Sequence, residues 1–93
     1  MIRSFRSRAL RRFWTKGEVT GLRPDWIRKI DRQLSLLDQA VKPDDMNVVT
    51  YGFHALTRDQ AGRCSITVSR NWRITFRFDG EDAEAVDLED DHG

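Results

Sequence analysis

From Ile66 to Phe78 the chain reads "ITVSRNWRITFRF", with apolar side chains at nearly every even position and polar ones at the odd positions. A period of two marks a β-strand with one covered and one polar face. Thirteen residues exceed the usual strand of about five or six. Ser69, Arg70 and Asn71 supply turn chemistry in the middle. The pattern therefore predicts a hairpin of residues 64–69 and 72–78. Asp79-Gly80 is a second turn signal, followed by a last strand over residues 83–89 with Val86 and Leu88 facing inward.

The N-terminal half carries a different period. Ser7 is placed to cap a helix that presents Ala9, Leu10, Phe13 and Trp14 on one side and ends at Gly17. Pro24 and Asp25 open a second helix. Its apolar residues Trp26, Ile27, Ile30, Leu34, Leu37 and Val41 recur in steps of one, three or four, and Pro43 stops it. The short connection favours an antiparallel helix pair. Residues 2–5 and 51–56 read as short strands, residues 57–63 as a polar loop, and residues 44–50 are ambiguous. The order predicts a single α+β domain over residues 1–93, with two N-terminal helices packed on a small antiparallel β-sheet.

Composition narrows the class. With 39% hydrophobic and 33% charged residues the chain is expected to be globular, neither disordered nor membranous. The basic start lacks the apolar run of a signal peptide. One cysteine, Cys64, permits no internal disulfide and fits a reducing cytoplasm. The net charge is only +1, but residues 1–32 sum to +7, residues 33–78 to +2 and residues 79–93 to −8. That segregation fits a polyanionic partner, or equally, blocks that neutralise one another within the fold.

His54, Cys64 and His92 have no metal-ligand spacing, and no phosphate-binding glycine loop or nucleophile elbow is present, so no metal or cofactor is expected. What remains is a set of imidazole and basic groups near a sheet: His54 at the end of a strand, Arg58 in the next loop, and Arg73 and Arg77 on one strand face. Asp90 and His92 stand near the end of the sequence. Imidazole suits proton transfer near neutrality, and guanidinium suits phosphate. Each residue also has a plain alternative: a half-buried structural histidine, solvated arginines paired across strands with acids such as Asp87, an acidic solvated tail.

The frame "FHALTRDQAGRCSITVSRNWRITFRFDGEDAEAVDLEDDH", with "MIRSF" at the start and Gly17 after the first helix, resembles the HigB-type toxins of the RelE/ParE superfamily over essentially the whole chain. The resemblance implies a RelE-like fold and a toxin of a type II toxin–antitoxin system. Such toxins enter the ribosomal A site and cut mRNA without metal, by attack of a ribose 2′-hydroxyl on the adjacent phosphate. By position it implies Arg73 as the phosphate-binding cation. His54 and His92 share the base and acid roles, and Asp90 orients a histidine. Arg58 and Arg77 are expected to touch RNA, and Arg28 and Arg32 to meet ribosomal RNA. The implied partners are a helix-turn-helix antitoxin, the ribosome with its mRNA, and operator DNA only through the antitoxin complex; no membrane is expected. Thr57 stands where the family often has lysine, leaving Arg58 as the adjacent cation; Gln60 replaces a loop arginine, Cys64 an aromatic residue and Asp91 the tail aromatic. These departures keep two alternatives open. One is a ParE-like inhibitor of DNA gyrase, and the other an attenuated toxin acting mainly with its antitoxin in operator repression.

Overall fold

The structure, a computed structural model, describes residues 1–90. Helix α1 spans Arg8–Lys16. The Ser7 hydroxyl accepts the Leu10 N–H at 3.1 Å, and Gly17, with φ of 70°, returns its N–H to the Phe13 carbonyl at 2.9 Å. Both ends are thus capped by the residues the pattern singles out. A 3₁₀ turn at Pro24–Trp26 leads into helix α2, Ile27–Gln39.

Four strands come next: β1, His54–Ala55; β2, Cys64–Ser69; β3, Trp72–Asp79; and β4, Asp82–Asp90. They form one antiparallel sheet in sequence order. The α+β architecture of two helices on a small antiparallel sheet is the one the pattern predicts.

The core lies between the helices and one sheet face. Leu10, Ile30, Leu34 and Leu37 from the helices meet Ile66, Ile74, Phe76 and Val86 from the sheet, all fully buried. Trp26 stacks at a tilt on Trp72, with ring centroids 5.5 Å apart. Gln33 is also fully buried; its side-chain amide donates to the Thr67 carbonyl at 2.8 Å, where the β2–β3 register shifts.

Several expected elements take other forms. Residues 2–5 make only two isolated parallel bridges to β4, Ile2 with Ala83 and Phe5 with Val86. Helix α2 stops before Val41, which is exposed, and Met46 fills the core instead. The ambiguous residues 44–50 fall in 3₁₀ turns at Pro43–Met46 and Val49–Tyr51. Only two residues of the expected strand over 51–56 pair, because Gly52 adopts a left-handed turn just before them.

A register shift in the β3–β4 pair, between Thr75 and Arg77, marks a bulge. Ala85 takes a φ of 51° there, its N–H donating to the Ser4 hydroxyl at 2.9 Å. A bulge adds a residue to one strand and re-aims the side chains after it. Past this one, Arg77 faces Glu84 and not Asp87, and the two form an ion pair at 2.8 Å.

Candidate active site

The face of the sheet away from the helices carries a groove of about 330 Å³. Register explains which side chains meet there. His54 lies opposite Ser65, Ser65 opposite Thr75, and Thr67 opposite Arg73. Directly opposed residues project to the same face, so β1, β2 and β3 contribute to one polar surface. The groove is lined by His54, Thr57, Arg70, Arg73 and the hydroxyl residues Ser65, Thr67 and Ser69, together with Ala55, Leu56 and Trp72. No carboxylate lines it among the described residues. A lining of imidazole, two guanidiniums and hydroxyls is complementary to a phosphodiester, since arginine binds phosphate oxygens in a fork and hydroxyls bond its remaining acceptors.

The structure thus brings His54 and Arg73 to one groove. The other expected site residues lie elsewhere. Arg58 is exposed, does not line the groove, and holds a φ of 57°; Thr57, one step earlier, is the groove residue. Arg77 is exposed and tied to Glu84 outside the groove. Arg28 and Arg32 are exposed on α2, in the helix layer on the other side of the sheet. Arg28 lines a separate groove there with Phe13, Trp14, Gly17, Ile27 and Asp31. Asp90 pairs in register with Trp72, so alternation directs it to the face opposite that of Arg73. His92 lies outside the described residues.

The carboxylate that does oppose Arg73 is Glu89. The Thr75 hydroxyl donates to Glu89 Oε2, and the Gln60 side-chain amide reaches Oε1 at 3.4 Å. Behind Thr75 lies Arg63, only 6% exposed, whose Nη2 donates to Thr75 Oγ1 at 2.7 Å and to the Ala85 carbonyl at 2.8 Å. Burial lowers the Arg63 pKa and Arg6 pushes it further down, against the opposing pull of Glu89 and Asp87. Thr75 is fully buried as a result, so this part of the polar face is a covered hydrogen-bonded layer and not a solvated surface. Arg70, Arg63 and Glu89 were invisible as site residues in the strand pattern. Arg70 reads as a turn residue, Arg63 as loop, and Glu89 as one acid in an acidic run. The usable signal was parity, because Ser65, Thr67, Arg73 and Glu89 all occupy odd positions in paired strands.

Comparison with known proteins identifies the family of the chain. The sequence profile of a family described as the RelE-like toxin of type II toxin–antitoxin system HigB matches residues 3–92. A relative, "Endoribonuclease HigB" of Proteus vulgaris, is 37% identical over 92 residues, which is 99% of this chain and 100% of the relative. A match of that extent, on a fold with two helices over a four-stranded antiparallel sheet, places this chain in the HigB family of RelE-like type II toxins.

Proposed function

We propose that the chain is an endoribonuclease toxin that cuts mRNA on the ribosome. The relative of that name supports the activity, and one observation carries it to this molecule. His54 and Arg73 line one groove together with Arg70, with no carboxylate among the described residues that line it.

In the proposed reaction the 2′-hydroxyl of one ribose attacks the neighbouring phosphorus. His54 takes the hydroxyl proton as the O2′–P bond forms, and Arg73 stabilises the charge gathering on the phosphate oxygens. The P–O5′ bond breaks, leaving a 2′,3′-cyclic phosphate and a 5′-oxygen that takes a proton from a general acid. His92 is the residue assigned that role. Arg70 adds a second cation for the neighbouring phosphate. Asp90, which pairs with Trp72 on the strand face away from Arg73, is assigned the role of orienting a histidine.

The exposed basic residues of α1 and α2, Arg8, Arg11, Arg12, Arg28 and Arg32 among them, would hold the body against ribosomal RNA, an attraction that weakens as salt rises. A type II toxin is held in check by a co-encoded antitoxin, here a helix-turn-helix protein acting in the cytoplasm. The test is expression in growing cells followed by mapping of mRNA 5′ ends. New ends inside translated messages are expected, and none with Arg73→Ala, because losing a transition-state cation costs about a hundredfold or more in rate. Growth arrest with intact messages would refute the nuclease reading, and a gyrase supercoiling assay would then test the alternative.

A further inference from the structure

Among the described residues of the helices, Gln33 is the only buried polar side chain. It shares the face of α2 that buries Ile30, Leu34 and Leu37. Its Oε1 is buried without a hydrogen-bond partner, a cost that leucine or methionine would not incur there. Packing of the core therefore does not account for it. Its bond serves the sheet instead: Nε2 crosses from the helix layer and donates to the Thr67 carbonyl at 2.8 Å.

Thr67 is where the β2–β3 ladder slips. The register is regular from Cys64 to Thr67, and the next pair is Ser69 with Trp72. Val68 is thus an extra residue on β2, a bulge. A regular ladder would set Val68 against Trp72 and leave Ser69, Arg70 and Asn71 all in the loop. With the bulge, the loop is Arg70-Asn71 alone. Two-residue hairpin loops that match the strand twist have a positive φ at the first or at both central residues. Neither Arg70 nor Asn71 has one. The backbone of the turn does not set its own angle, so the bulge before it must.

We infer that Gln33 is a positioning residue for Arg70: by holding the Thr67 carbonyl it fixes the bulge, and the bulge fixes the turn that carries Arg70 to the groove. Arg70 is exposed and lines the groove. An exposed arginine on a loose turn spreads over many rotamers and backbone positions. On a pinned turn it has less freedom to lose when its fork meets a phosphate. The buried amide thus links the helix layer to the tip of the hairpin on the other side of the sheet.

The kinetic effect rests on the nuclease reading, in which Arg70 binds the phosphate beside the reacting one; the effect on the turn does not. Gln33→Met fills the same space and lacks the donor. On the purified full chain, kcat and KM for cleavage of a ribosome-bound message are measured for the wild type, Gln33→Met, Arg70→Ala and the double variant. Backbone amide exchange is followed by NMR. Arg70→Ala should raise KM about tenfold with kcat little changed, because the lost contact is the same in ground and transition states. Gln33→Met should raise KM about threefold to tenfold, and the double variant should match Arg70→Ala within about twofold. Amides of residues 69–72 should exchange faster in Gln33→Met, while those of the β3–β4 ladder stay as in the wild type. A general loosening of the core would instead lower kcat and multiply with Arg70→Ala. Multiplied losses, a wild-type KM in either single variant, or unchanged exchange at residues 69–72 overturns the inference. If Gln33→Met does not fold, Gln33→Leu carries the same cycle, and the wild type carries its own check: the Gln33 side-chain amide protons must exchange slowly, and rapid exchange refutes the bond. If the wild type cuts no message, the nuclease reading fails and the exchange at residues 69–72 alone decides whether Gln33 holds the turn.

Discussion

Replacing Gly52 by alanine should destabilise the fold through one identifiable contact. Gly52 has a φ of +56°, and a Cβ built on it would stand 2.9 Å from Thr67 Oγ1. Two costs arise. An L-residue in the left-handed region costs about 1–2 kcal/mol. The clash cannot be relieved cheaply, because Thr67 is β-branched and sits on a paired strand; pushing its χ1 off the staggered well costs about 0.5–1.5 kcal/mol. Against these, alanine restricts the unfolded chain and returns about 0.4–1 kcal/mol. The net loss is roughly 0.5–3 kcal/mol, centred near 2. For a domain of this size that lowers the melting midpoint by about 8–16 °C at the central value.

The assay is thermal or urea unfolding of four proteins: wild type, Gly52→Ala, Thr67→Ala and the double variant. Thr67→Ala removes the atom that the new methyl would strike, so in that background only the backbone cost should remain. The two substitutions should therefore couple by about 0.5–1.5 kcal/mol. An equal cost of Gly52→Ala in both backgrounds, within about 0.5 kcal/mol, would refute the close approach as the cause. The contact matters for function as well as stability. Thr67 lines the groove opposite Arg73, and His54 lies two residues after Gly52. The glycine is what lets the chain pass close over β2 and deliver His54 to that surface.

The remaining predictions concern the bulge, the N-terminus and the thiol. Ala85→Gly should be neutral or stabilising by up to about 1 kcal/mol, because glycine removes the left-handed penalty at a φ of 51° but adds unfolded-state entropy; a loss above about 1 kcal/mol in urea unfolding would contradict the bulge geometry. Asp82 has its pKa lowered chiefly by the side-chain bond from Arg3, with the N-terminal ammonium adding to it. A depressed folded pKa means that protonation disfavours the native state. The Asp82 contribution should be complete above the ordinary carboxylate value of about 3.9 and vanish as pH falls through the lowered folded value. Unfolding of Asp82→Asn against wild type across that window checks it; a difference that grows on acidification would reverse the sign. Burial raises the Cys64 pKa, opposed by the Arg63 charge, and the side chain is only 7% exposed. Alkylation at mildly alkaline pH should therefore be far slower in the folded protein than in the denatured chain, and equal rates would show that the thiol is accessible.

The range of each signal decides how much of the fold was legible. Periodicity is a local property that directly reports which face is covered, so the two helices, the β2–β3 hairpin and the last strand were all readable. Ser7 and Gly17 were readable as caps for the same reason, since a helix end is decided within a few residues. Residues 2–5 and 51–56 have strand-like composition, but pairing needs a partner in register. Gly52 and the parallel approach to β4 limit them to bridges and a two-residue strand. The end of α2 was misplaced because Val41 continues the helical stripe in sequence, while Ala40 has already left helical geometry with ψ of 144°.

The site shows the same division. Parity alone places Arg73 with Ser65 and Thr67 on one face, but it treats Arg73 and Arg77 alike. The bulge at Ala85 separates them: before it the ladder sets Arg73 against Glu89, and after it Arg77 is set against Glu84. One left-handed residue on β4 thus decides which arginine is set against Glu84 and which lines the groove. Strand alternation carries no mark of that residue, because alanine has no preference for the conformation it adopts. What holds Ala85 there is non-local. Ser4, 81 residues away in sequence, accepts its N–H, and Arg63, 22 residues away, donates to its carbonyl. The assignment of cations on the polar face is therefore a tertiary property of this fold, built by an N-terminal serine and a buried loop arginine that the strand pattern never touches.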